Sequence, residues 1–82
     1  MYKYFVGDTK GWVEVRKDEL GAANLLGLIS TSSYEKGEYI YLDEDIDLSF
    51  FVYFLGDLPI FQEIHVSDDY FSNYNRYRGG LQ

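Results

Sequence analysis

Residues 39–51, YIYLDEDIDLSFF, constrain the fold most strongly because the spacing of their apolar side chains changes partway along the segment. The segment YIYL alternates aromatic and aliphatic side chains, which is the two-residue period of a strand. After the acids, apolar residues recur at the i, i+3, i+4, i+7 spacing of a helix with one buried face, at Leu48, Phe51, Val52 and Leu55. A strand that passes directly into a helix is therefore expected.

Four acids lie at this strand-to-helix transition, at Asp43, Glu44, Asp45 and Asp47. We expect the helix to begin near Asp45 or Asp47, since either carboxylate can cap free backbone N–H groups and suits the positive end of the helix dipole. Capping of this helix needs only one of the four acids. The other three are expected on the surface.

The rest of the chain predicts a single α+β domain over residues 1–82, with a polar and aromatic tail over residues 67–82. Two hairpins are expected, in residues 2–15 and 30–42, with a short helix between them in residues 16–28. A last strand is expected at residues 60–66, after Gly56 and Pro59 end the second helix. These elements predict a small mixed or antiparallel sheet, with about four to five strands and two helices packed on one face.

The charge balance argues against direct nucleic-acid binding. Residues 41–82 hold eight acids and two bases, whereas residues 1–40 hold six acids and five bases. Phosphate binding relies on Lys and Arg, so a positively charged partner suits this chain better. The alternative is that the acids only keep a tyrosine-rich chain soluble.

Two patterns that would signal metal or catalytic chemistry are incomplete. Asp43, Asp45 and Asp47 read D-x-D-x-D, but Leu48 replaces the turn glycine of an EF-hand loop and Phe54 its bidentate glutamate. His65 and Glu63 share a strand face without a nucleophile motif nearby, which favours a solvent-facing pair. With no cysteine in the chain, thiolate chemistry is excluded. We therefore expect no enzyme, metal or cofactor.

The tail YFSNYNRYRGG has a binding-type composition. Tyr70, Tyr74 and Tyr77 are spaced as on one face of a helix, and Arg76 and Arg78 lie among them. Tyrosine and arginine are enriched in binding hot spots, which favours a protein-binding surface. Alternatively, the tyrosines pack on the sheet and the arginines pair with nearby acids, or the two arginines clamp a small nucleotide.

Residues 11–52 resemble small proteins of unknown function that are carried by bacteriophages, plasmids and similar mobile elements. Their pattern is Gly-Trp-x-x-Val, then Ile-Ser-x-Tyr-Ser-Tyr, a glycine, and Tyr-Leu-Glu-Glu-Asp-Cys-Asp followed by an aromatic residue. The chain departs from it at Ser32, Asp43 and Ile46. The matching residues are Trp12, Ile29, Ser30, Ser33, Tyr34, Gly37, Tyr41, Leu42, Glu44, Asp45, Asp47 and Phe50.

This resemblance implies a mobile-element setting in the cytoplasm of a bacterial host, with no activity or residue role to transfer. Together with the acidity, it predicts a non-enzymatic inhibitor of a host nucleic-acid-handling defence complex, of the anti-CRISPR or anti-restriction type, that mimics DNA. Its partner would be a host protein with a basic surface. The alternatives are a nucleotide-binding protein using Arg76 and Arg78, or a homo-oligomeric structural or regulatory subunit. The residues predicted to bind protein are Asp43, Glu44, Asp45, Asp47, Asp57, Asp68, Asp69, Tyr70, Tyr74 and Tyr77.

Overall fold

A computed structural model describes residues 1–79 as a six-stranded sheet with two α-helices. A 3-10 turn lies at Leu26–Leu28, between the helices in the chain. The helices are α1 (Lys17–Ala22) and α2 (Leu48–Leu55). The strands are β1 (Tyr2–Val6), β2 (Gly11–Arg16), β3 (Tyr34–Lys36), β4 (Tyr39–Asp43), β5 (Phe61–His65) and β6 (Asn75–Arg76).

The strands lie side by side in the order β5-β1-β2-β4-β3-β6. All neighbouring strands are antiparallel except β1 and β5, which are parallel, so the sheet is mixed. Parallel pairing is available to β5 because the chain crosses from β1 to β5 through the other elements rather than through a tight turn. This arrangement confirms the predicted α+β class. The sixth strand, a two-residue element in the tail, was not predicted.

Both helices pack on the same face of the sheet, as the order of the elements predicted. Leu20 of α1 and Phe51 of α2 are fully buried in one cluster with Val13 and Ile40 of the sheet. Tyr2 meets Phe51 edge to face, with ring centroids 5.3 Å apart. Alternation along β2 and β4 supplies the aliphatic floor of this core, since every second side chain points toward the helices.

The second face of the sheet is aromatic and is covered by the tail. Phe71 is buried among Phe5, Trp12, Tyr34 and Tyr41, with ring centroids between 4.8 and 6.0 Å from its own. Because both sheet faces are covered, the small domain gains a second apolar cluster besides the helix-facing core. Residues 67–79 of the tail are thus part of the fold.

The first helix is shorter than predicted. It ends at Ala22, and Asn24 adopts φ of 59°, a left-handed conformation that breaks the helix before the 3-10 turn. The end of α2 matches the prediction, because Gly56 follows it with φ of 78° and donates its N–H to the carbonyl of Val52.

The three tail tyrosines do not share a helical face. Tyr70 and Tyr74 lie on the aromatic face of the sheet, whereas Tyr77 is buried in the helix-facing core. The Tyr77 hydroxyl donates a hydrogen bond of 3.1 Å to the carbonyl of Leu26. The helical spacing was misleading here, because the segment forms turns and β6, which pairs with β3.

Candidate interaction surface

Asp47 is buried, so it is not part of a surface, and its hydrogen bonds connect two segments of the chain. Its carboxylate accepts hydrogen bonds from the backbone N–H and the hydroxyl of Ser30, and from the hydroxyl of Ser33. It occupies the N-cap position of α2 but makes no side-chain cap hydrogen bond. The predicted helix start at Asp47 is confirmed, but side-chain capping and surface exposure of Asp47 are wrong, because its buried oxygens accept hydrogen bonds from the loop before β3.

Asp43 is buried as well, which also removes it from the predicted acidic surface. Its Oδ2 lies 2.6 Å from Nζ of Lys10, and its Oδ1 accepts the backbone N–H of Asp45 at 2.8 Å. The hydrogen bond to Asp43 raises the pKa of Lys10. A buried carboxylate needs such partners, since an unpaired charge in the interior is strongly destabilising.

Glu44 and Asp45 are the two acids of this segment that reach the surface. Glu44 is half-buried and accepts a hydrogen bond from the hydroxyl of Tyr4, and Asp45 is exposed. Burial, the hydrogen bond to Glu44 and the nearby charges of Glu63 and Asp45 raise the pKa of Tyr4 to about 12. Tyr4 is therefore hydrogen-bonded to the acidic segment that precedes α2.

The remaining predicted acids are exposed. Asp57 follows the end of α2 and accepts the backbone N–H of Leu58. Asp68 accepts the backbone N–H of Asp8 at 2.8 Å, which fastens the tail to the loop between β1 and β2. Asp69 accepts the hydroxyl of Ser67. Each of these hydrogen bonds uses only part of a carboxylate, so these acids also add negative charge to the surface.

The sequence reasoning missed an exposed apolar surface on α2. We define the α2 patch as Leu28, Phe50, Tyr53 and Phe54, which are 53%, 41%, 89% and 55% exposed. With Leu25 and Ser49 these residues line a groove of about 730 Å³ between α2 and the 3-10 turn. Leu58 and Ile60, in the segment after α2, are also exposed. Contiguous exposed apolar surfaces of this kind mark interaction sites.

The signal for the α2 patch was present in the sequence. Helix α2 reads LSFFVYFL, and its outward side carries Ser49 and three aromatic residues without any charge. A helix on the surface of a small domain ordinarily has one apolar and one polar face, and a helix that is apolar all round is ordinarily covered on every side. Here the sheet covers one side, and the outward aromatic residues remain exposed.

One of the two predicted ligand-binding arginines, Arg76, already has partners within the chain. The guanidinium of Arg76 lies 4.2 Å from the ring centroid of Tyr34 and donates to the carbonyl of Ser32. Arg78 is exposed. Tyr70 is exposed and stacks on Phe5, and Tyr74 is half-buried with the ammonium of Lys36 over its ring at 4.7 Å. Arg76 of the tail and Lys36 of β3 are thus both in contact with tyrosines of the same chain.

His65 and Glu63 form the solvent-facing strand pair that was predicted. The imidazole Nε2 lies 3.8 Å from the Glu63 carboxylate, and both side chains are exposed. Within residues 1–79, no three His, Asp or Glu side chains are grouped so that they could hold a metal ion. Neither helix in this part of the chain is long and apolar enough to cross a membrane.

Comparisons of the chain with protein-family models, with curated proteins and with solved structures found no significant match. The case for a function therefore depends on the geometry of the chain itself.

Proposed function

We propose that this chain is a non-enzymatic interaction protein that binds a basic surface on a nucleic-acid-handling protein of a bacterial host. The main observation in support of this proposal is the negative charge of the segments before and after α2. Residues 39–75 contain eight acids and neither Lys nor Arg, and Asp45, Asp57 and Glu63 among them are exposed. Such one-sided charge speeds encounter with a basic partner and repels nucleic acid from the same surface.

The resemblance to proteins of mobile elements supports the narrower proposal that the partner belongs to a defence complex of the anti-CRISPR or anti-restriction type. The acids available for mimicry of DNA phosphates are fewer than the sequence suggested, because Asp43 and Asp47 are buried. The mimic would rely on Glu44, Asp45, Asp57, Glu63, Asp68 and Asp69.

The test is capture of host proteins on the immobilised chain at low and high salt. We expect a basic partner to be captured at low salt and released as ionic strength rises, because exposed charges are screened. The double variant Asp45→Asn/Asp57→Asn should weaken capture. The matched control Asp18→Asn/Glu38→Gln removes two exposed acids elsewhere and should not. Capture that is insensitive to salt and to Asp45→Asn/Asp57→Asn contradicts the proposal.

A homo-oligomeric subunit is the second candidate, and the exposed apolar α2 patch favours it. Sedimentation of the purified chain at rising concentration tests this candidate directly. A monomer over the whole range would rule it out. The nucleotide-binding alternative has no comparable support, since Arg76 already stacks on Tyr34.

A further inference from the structure

The α2 patch presents mainly side chains, because it lies along a helix and not along a sheet edge. The N–H and C=O groups in the middle of α2 are used within the helix, so a partner strand cannot add to this surface as it could to a sheet edge. Binding here must proceed by packing of side chains into the groove between α2 and the 3-10 turn. A helix that inserts apolar residues at i, i+3, i+4 and i+7 spacing fits such a groove.

The size of the α2 patch suits a single helix better than a second copy of the chain. Aromatic side chains present roughly 150–250 Å² each, so the exposed fractions of Phe50, Tyr53 and Phe54 amount to roughly 400 Å², and the 53% exposed Leu28 adds a smaller area. A stable protein–protein interface buries about 800 Å² on each partner, and permanent homodimers bury more.

The acids at the two ends of α2 indicate that a helix bound to the patch should be positively charged. Asp45 lies three residues before α2 and Asp57 two residues after it, and an eight-residue helix is only about 12 Å long. In a symmetric dimer through α2, these acids would face acids of the other copy. A partner with Lys or Arg beside its apolar residues would instead meet opposite charge at both ends.

We propose that the α2 patch is the docking site for a basic amphipathic helix of the partner protein. The proposal rests on the function proposed above and names the surface that performs it. Phe50, Tyr53 and Phe54 contact the apolar stripe of the bound helix, and Asp45 and Asp57 contact its basic residues.

The test uses three labelled synthetic peptides of equal length and fluorescence anisotropy. The first has an apolar stripe at helical spacing and a Lys/Arg polar face. The second has the same stripe and a Glu polar face, and the third has the basic composition with the apolar spacing scrambled. We expect the first peptide alone to bind, and Tyr53→Ser/Phe54→Ser to weaken it about tenfold or more, as loss of hot-spot residues does.

Gln62→Ser is the matched control, because Gln62 is exposed on β5 and shares a strand face with Ile64, on the side of the sheet opposite the helices. Circular dichroism of each variant shows whether it folds, and Phe50→Ser provides a second patch variant. Equal binding of the scrambled basic peptide would overturn the proposal. So would self-association of the chain that Tyr53→Ser/Phe54→Ser abolishes, because a second copy would then occupy the patch.

The two proposals fail in different ways. If the patch variants bind the first peptide normally while host capture still depends on salt and on Asp45 and Asp57, only the α2 docking site is wrong. If Asp45→Asn/Asp57→Asn changes neither peptide binding nor capture, the proposed function, binding to a basic partner, is wrong.

Discussion

The hydroxyl of Ser33 lies 2.5 Å from Oδ2 of Asp47 and donates a hydrogen bond to this buried carboxylate. The same carboxylate accepts two hydrogen bonds from Ser30. Asp47 therefore joins the loop before β3 to the start of α2, and it sets where the α2 patch stands relative to the sheet.

Asp47→Ala should lower the free energy of unfolding by about 3 kcal/mol, because it leaves the buried hydroxyl of Ser33 and the half-buried donors of Ser30 without acceptors. Asp45→Ala is the matched control, two residues away and exposed, and should change stability by less than about 0.5 kcal/mol. Urea unfolding followed by circular dichroism measures both. Equal stability of the two variants would show that the hydrogen bonds to Asp47 contribute little.

High pH should unfold the protein over a defined range. Burial and the hydrogen bond to Glu19 raise the pKa of Tyr2 to about 12, and burial and Glu44 do the same for Tyr4. An unfolded tyrosine ionises near pH ~10. The folded chain therefore holds these protons more tightly, and this contribution to stability is complete below pH ~10 and is lost as pH rises toward 12.

Urea midpoints at a series of pH values, with tyrosinate absorbance recorded in parallel, check this alkaline loss. Tyr4→Phe should make the decline shallower, because one raised pKa is removed. A Tyr4→Phe variant with the same decline as the original chain would exclude Tyr4 as a cause. The urea-unfolded chain serves as the reference for tyrosines without burial.

The strand-to-helix transition could be predicted because it depends on local periodicity. Alternation over YIYL places Ile40 and Leu42 in the helix-facing core. Gly56 ends α2 because glycine adopts the left-handed conformation at little cost in free energy. The order of strands and helices along the chain also predicted that both helices lie on one face of the sheet.

Burial of the acids could not be predicted in this way. Lys10, the partner of Asp43, lies 33 residues before it, and Ser33 reaches Asp47 across 14 residues. An acid's sequence neighbours do not reveal which distant groups the fold brings to it. The prediction that the three tail tyrosines share one helical face failed for a related reason. The tail forms β6 instead, and its tyrosines lie on both faces of the sheet.

Phe71 should be as important to stability as a residue of the helix-facing core. Phe71→Ala removes the ring that Trp12, Tyr34 and Tyr41 surround, and should cost about 3–5 kcal/mol. For a domain whose whole stability is roughly 5 kcal/mol, this leaves little folded protein. Phe71→Leu keeps much of the volume and should cost less. Thermal unfolding measures both, and an unchanged midpoint for Phe71→Ala would show that the aromatic cluster does not stabilise the fold.

Substitution of two phenylalanines of α2, Phe51 and Phe54, should affect stability and peptide binding separately. Phe51 is fully buried, so Phe51→Ala should lower the free energy of unfolding by about 3–5 kcal/mol. Phe54 is 55% exposed in the α2 patch, so Phe54→Ala should cost less than about 1 kcal/mol and still weaken binding of the basic amphipathic peptide. Urea unfolding and anisotropy titrations on the same preparations give both quantities. A Phe54→Ala variant that loses as much stability as Phe51→Ala would mean that this side of α2 belongs to the core, and the exposed aromatic surface would then have no role in binding.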